Sequence, residues 1–451
     1  MASALSRREF LKIAGVTAST AVLAACVAAA PSGSTGSSAE SAPANAPVDL
    51  KWDTFRGPGT GWNEERIDTF KQTHPNVNIE FRPLTGATQQ DNYAKMYASF
   101  AAGDLADICA FDPSHFHFWR AINKQIIMPL DDLVASDNLD VKQWFEQFMV
   151  LQHYNGKLYG LPSWGWAGQD TFVINAVHFA EAGIDLPDPK GHDTPMTTYD
   201  EWARKLNNKD GGRFGLATAF DEGHLVTLVR AFNGELINAE GTKSLLMDDK
   251  NAQDALRWMY KLAVEDQILP APGDIENAPA AQVEGKISMR WGGSLDVRNF
   301  KRDIKDEAVA KAHQGLLPTD KNGKAPSQIR GGTWNILNGT QHPQESYEFL
   351  KHITSKEGCV GFNLVAGQGA FVRPDVVQEL IQKDAVHEWF IPNLENGIPA
   401  NAPANSRGKE YTDACVQWAT ILFDPKAPVP FEKGLQDLHD NIQKVLDQEP
   451  A

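Results

Sequence analysis

Cysteine is scarce in this chain. Four occur among 451 residues, at 26, 109, 359 and 415. If Cys26 is set apart, as argued below, three remain and at least one must be unpaired, so no disulfide framework is implied. An excess of positive charge is also missing. The formal net charge is −16, and the few cations near the N-terminus make the rest of the chain more acidic still. That excludes the electrostatic footprint of a nucleic-acid or anionic-lipid binder. After residue 25 no apolar run approaches the length of a membrane span. Signatures of catalysis are absent too: there is no Gly-x-Ser-x-Gly elbow, no Gly-Lys-Ser/Thr phosphate loop and no His-Glu-x-x-His. The glycines 57, 59 and 61 lack dinucleotide spacing, and His115-x-His117 lacks the Cys or Glu cluster that a metal site needs. No cofactor and no metal are expected.

The N-terminus is a targeting segment. Residues 6–12 read SRREFLK, 13–25 are mildly apolar, and Leu23-Ala24-Ala25 leads into Cys26. Thirteen helical residues reach only about 20 Å, against roughly 30 Å of hydrocarbon. The paired arginines before Phe-Leu-Lys resemble a twin-arginine export signal. The Leu-Ala-Ala-Cys close resembles a bacterial lipobox, whose cysteine is acylated and becomes the mature N-terminus. Residues 27–47 are mostly Ala, Ser, Pro and Gly, with a single charge, too poor in large apolar residues to fold. As a flexible tether they have an r.m.s. reach of about 25 Å. The expected location is therefore extracytoplasmic, with a lipid on Cys26 as the sole membrane contact, in a periplasm or on an outer cell surface.

From Val48 onward the chain is longer than the usual ~50–250-residue domain and predicts two lobes. VDLKWDTF at 48–55 alternates at period two and reads as a strand, followed by a Gly-rich loop and a helix that Asn63 can cap. VNIEF at 77–81 is a second strand. Residues 93–102 form a helix with Tyr93, Met96, Tyr97 and Phe100 on one side, and 106–111 a third, buried strand. This order predicts a parallel sheet covered on both faces, with the strand-end loops 56–62 and 111–115 converging on one crevice. Further on, Thr198-x-x-Glu201 reads as a capping box. Residues 285–291 and 331–337 read as strands, and Pro343 opens a helix carrying Tyr347, Leu350 and Ile353.

Several segments then resemble one family. FAAGDLADI at 100–108 is similar to a helix-to-strand passage "AAGxxPDI". NGKLYGLP at 155–162 is similar to "GKxYGLP", and FVIN at 172–175 with FAEAGI at 179–184 to "YNKDLFEKAGL". GKxxM at 285–289 resembles "GKAAM", and ExYEFLK at 345–351 with TSKEG at 354–358 resembles "FLKxLTSxEG". By number, order and spacing they resemble the family-1 extracellular solute-binding proteins, the capture components of ABC importers, as in maltose-binding proteins. The resemblance implies a periplasmic-binding-protein type II fold: two doubly wound α/β lobes joined by a hinge. It implies an N-terminal lobe of 48–160 plus 340–385 and a C-terminal lobe of 161–339 plus 386–451. Crossings are expected near 160–163, 331–339 and Ala385. The implied partners are a carbohydrate ligand and permease subunits, and the chain is expected to be a monomer without enzymatic activity.

A sugar ring needs aromatic platforms for its C–H faces and amide or charged groups for its hydroxyls. Trp164 and Trp166 follow the first crossing, Trp291 ends a strand beside Gly292, and Trp334 lies at another crossing. These are the candidate platforms, in contrast to Trp52, Trp202, Trp258 and Trp418, which sit in periodic segments and read as core. Asp112, Gln169 and Asp170 are the polar candidates. Arg56 either meets ligand or pairs with a carboxylate, and Tyr93 either offers its hydroxyl or packs in the core. Asn405 and Arg407 occupy a late loop that the family uses for ligand. Two alternatives stay open. Binding of polyamines or peptides would use the same fold, and a secreted glycoside hydrolase would cast Asp112 and Asp170 as its acid and base.

Overall fold

The computed structural model describes residues 46–113, 116–168, 171–186, 188, 194–293, 296–297, 299–300, 304–369, 371–405 and 407–449. The signal, Cys26, Gln169, Asp170 and His115 lie outside them. In chain order, β1 (Val48–Thr54), α1 (Trp62–Thr73), β2 (Val77–Pro83), α2 (Gln89–Ala101) and β3 (Ile108–Phe111) alternate. β1 pairs in parallel with both β2 and β3. β3 shows why helices cover both faces. Ile108 and Ala110 point into one buried cluster with Trp52 and Leu350, whereas Cys109 and Phe111 point into another with Tyr93, Met96 and Phe118. A period of two cannot bury every residue of a strand unless both faces are covered.

β4 (Leu161–Gly168) leaves this lobe. β5 (Thr171–Asn175), α3 (Met196–Leu206), β6 (Phe214–Ala217), α4 (Glu222–Ala231), β7 (Ile287–Gly292) and β8 (His313–Leu316) then build the second one. Its sheet runs β8-β5-β7-β6, with β6 and β7 parallel. The alternation recurs: Phe172 and Ile174 enter the main cluster of this lobe, while Val173 joins Val297, Leu317 and Phe390 on the other face. β9 (Gln328–Ile336) returns to the first sheet, antiparallel to β3 at its C-terminal half and to β4 along most of its length. The antiparallel β4–β9 ribbon is thus the main link between lobes. α5 (Pro343–Ile353) follows, then β10 (Ile398–Pro399), paired with the start of β9. Residues 385–396 precede β10 and touch both lobes, with Val386 and Phe390 in a cluster of the second and Leu394 in the core of the first. α6 (Gly408–Leu422) and α7 (Phe431–Leu446) close the second lobe.

The ribbon is packed to a tolerance only glycine meets. A methyl group on Gly332 would collide with the Trp164 indole, and one on Gly165 with the Phe148 ring. Two local expectations are corrected. α1 starts at Trp62 with Gly61 as its cap at φ 85°, and Asn63, one position inside, donates instead to the Arg56 carbonyl (3.3 Å). α3 starts at Met196 after Pro195, which leaves Thr198 inside the first turn and not at a cap. The true capping box belongs to α2, where Thr88 and Asp91 satisfy each other's backbone. Cys109, Cys359 and Cys415 are all buried and unpaired.

Candidate ligand-binding cleft

In sheets of this kind the strand C-termini converge on a crevice, and both lobes obey the rule. The ends of β2 and β3 lead into Gln90 and Pro113. The end of β6 leads toward Glu222, the first residue of α4. These residues wall a cavity of about 610 Å³ between the lobes. Trp119 and Tyr154 contribute from the first lobe, their rings 5.2 Å apart and tilted by 56°. Facing them are the segment 399–404 and the first turns of α6, including Thr412. Amide and hydroxyl side chains on these walls include those of Gln90, Asn155, Gln328, Asn401 and Thr412.

Charges on the walls are paired within the protein. Glu222 accepts from Arg330 of β9 at 2.6 Å, and Lys409 bonds Asp413 one turn away. Asp221, just before Glu222, caps α4 through the His224 N–H (2.9 Å) and accepts from the His224 ring. Burial works to raise the Asp221 carboxyl, but hydrogen bonds from His224 and the charge of Arg330 win and hold it at about 2.

Outside the lining of the cavity, Arg56 and Asp112, just past the ends of β1 and β3, form a cluster with Tyr93 of α2. The Arg56 guanidinium lies 5.0 Å over both the Phe55 and Trp164 rings and donates to Gln368 Oε1 (3.3 Å). Burial lowers its pKa, and Asp112 and Tyr93 pull it back up. The Tyr93 hydroxyl accepts from the Asp112 backbone N–H at 3.0 Å. Burial, and then the Asp112 charge, raise its pKa.

The tryptophans sort differently from the expectation. Trp164 and Trp334 are fully buried in the first lobe, edge-on to each other at 5.6 Å. Trp291 is fully buried in the second, against Phe172 at 4.9 Å, and its carbonyl accepts from His224 Nε2 (3.3 Å). None of the three lines the cavity. Trp166 is half-buried on β4, opposite Arg330. Gly292 makes room for Asp296, whose carboxylate accepts from the Gly293 N–H and pairs with Arg290. Asn405 is buried and donates to the carbonyls of Val445 and Leu446, pinning the end of α7. Arg407 donates to the Glu449 carbonyl. His117 is stacked on Tyr93 and bonded to Gln90 Oε1 (2.9 Å). Among the described residues no cluster of three metal-ligating side chains occurs.

Trp119, Tyr154 and Glu222 escaped the sequence reading. One signal was available: Asn155-Gly156, both at positive φ, is the hairpin turn joining His153–Tyr154 to Lys157–Leu158. That turn sets Tyr154 at the cleft.

Comparison with known proteins agrees with this architecture. The family of bacterial extracellular solute-binding proteins matches residues 52–358. The arabinooligosaccharide-binding protein of Bacillus subtilis is 23% identical over 352 residues, covering 75% of this chain and 74% of its own. The lactose-binding protein of Rhizobium radiobacter is 20% identical over 373 residues, covering 76% and 85%. The solved sugar-binding protein MalE from Xanthomonas citri superposes with a TM-score of 0.74 at 15% identity, over 88% of this chain and 97% of its own. With a match over most of its folded length and two lobes around one cleft, this chain belongs to the bacterial extracellular solute-binding protein family.

Proposed function

We propose that the protein captures a neutral carbohydrate in the inter-lobe cleft and delivers it to the permease of an ABC importer, with no bond made or broken. The observation that carries the reading is the cavity wall: a Trp119–Tyr154 aromatic surface beside amide and hydroxyl side chains, where Glu222 and Lys409 are already neutralised by Arg330 and Asp413. A polyamine would need unpaired carboxylates there, and an acidic ligand unpaired cations. The sugar-binding names of the relatives support the same reading. Arg56, Tyr93 and Asp112 are proposed as the floor of the site, and Gln169 and Asp170 as further polar contacts to the ligand. Trp164, Trp291 and Trp334 hold that floor and the sheets behind it, and Trp166 and Gly292 flank it. Export through the twin-arginine-like signal, the lipid on Cys26 and a monomeric state belong to the same proposal. Fluorescence titration at two salt concentrations tests the ligand's charge: affinity for a neutral sugar stays constant, whereas binding only of charged ligands, weakened by salt, would overturn it.

A further inference from the structure

A second pocket, of about 290 Å³, lies in the C-terminal lobe beyond the end of β6. Two stretches of its lining, on α6 and at the start of α4, lie next in sequence to residues of the main cavity, and the segment 270–278 supplies much of the rest. Along α6, Thr412 and Asp413 face the main cavity, and Val416 and Thr420 face the second pocket. Steps of three and four residues keep these side chains on one stripe of the helix, with about 6 Å of rise between Thr412 and Val416. At the start of α4, Glu222 faces the main cavity and its neighbour Asp221 the second pocket. The lining has the same two chemistries as the main site. Phe220, Pro272 and Val416 are apolar, with Val416 left 40% exposed, while Thr218, Thr420 and the ionised Asp221 accept or donate hydrogen bonds. Its volume equals that of about ten waters at ~30 Å³ each, room for one sugar ring.

We infer that this pocket is a further subsite of the cleft, which takes a terminal sugar ring of an oligosaccharide whose other units fill the main cavity. The inference rests on the carbohydrate reading and adds ligand length to it: the protein selects an extended oligosaccharide over a monosaccharide. Phe220 and Val416 supply the apolar face, and Thr218, Thr420 and Asp221 the contacts to ring hydroxyls.

The test is calorimetric titration of the full chain with neutral arabino- and malto-oligosaccharides of increasing length, on wild type, Ala219→Trp and Val416→Ser. Ala219 is exposed at the pocket wall, so an indole there fills the pocket without entering the core. Wild-type affinity should climb about tenfold at one step in length, as expected of one added aromatic and hydrogen-bonded contact. Ala219→Trp should erase that step and Val416→Ser reduce it, with both variants binding the shortest ligand within about twofold of wild type. A wild-type series without the step, or the same step in both variants, would overturn the subsite and leave the carbohydrate reading standing. If neither series binds at any length while a charged ligand does, the carbohydrate reading falls and the subsite falls with it.

Discussion

Trp119 and Trp164 are the same residue in opposite surroundings. Trp119 is half-buried, tilted against Tyr154, with part of its ring on the cavity wall. Trp164 is closed in by Trp334, Phe362 and the Arg56 guanidinium. Trp119→Ala should therefore weaken sugar binding by about tenfold, the scale of one stacking contact, with an unchanged denaturation midpoint. Trp164→Ala removes a fully buried indole and should cost about 3–5 kcal/mol of stability, read as a lower midpoint in urea. The thiols give a second check at this scale. Burial pushes Cys359 up to about 12 and raises Cys109 and Cys415 as well. None of the three should react with a disulfide reagent at pH 8 in the native protein, and all should react in denaturant. The sequence could name aromatic residues near the crossings, but which face a strand or helix turns to the cleft depends on partners distant in the chain. Trp164 meets Phe362, and no local pattern in residues 160–168 announces that.

Among the elements, strands and helices with a clean period were legible. β1 and β2 follow the alternation of their apolar residues, β3 its short continuous apolar run, and α5 its helical spacing. Pro343 opens α5 as expected, but two other helix starts were not legible, because Asn63 and Thr198 are good caps in isolation and the caps stand two and three residues earlier, at Gly61 and Pro195. Two predictions belong here. Gly332→Ala drives a methyl into the Trp164 indole and should destabilise the β4–β9 ribbon by about 1–3 kcal/mol, measured by urea unfolding. At the start of α4, Asp221 titrates at about 2 when folded against ~3.9 for an unfolded aspartate. A depressed carboxyl contributes stability above its unfolded value and loses it as pH falls through the folded one. The stability gap between wild type and Asp221→Asn should thus be full above pH 4 and narrow toward pH 2.

For the whole molecule, the order of weak motifs from residue 100 to 358 was a better guide than any single site, because it tracks the path of the chain between two sheets. The cleft itself was less legible. Its walls come from residues as far apart as Gln90 and Asp413, and only folding brings them together. Ligand that touches both walls favours a closed arrangement through contacts an open one lacks. An anchor at Cys26 would keep such a binder beside its membrane partner. Cys26→Ser should move the protein from the membrane fraction to the soluble fraction while sugar affinity stays within about twofold, a change below 0.5 kcal/mol.

The central claim is that the cleft binds a neutral sugar, and a thermal-shift screen tests it most directly. Oligosaccharides, monosaccharides, polyamines, amino acids and short peptides are each offered to wild type and to Trp119→Ala. A ligand that binds only the folded protein at one hundred times its Kd stabilises it by about 2.7 kcal/mol. The account predicts that a neutral oligosaccharide raises the melting temperature of wild type by several degrees, and that of Trp119→Ala by less. A shift with polyamines or peptides and with no sugar would contradict it.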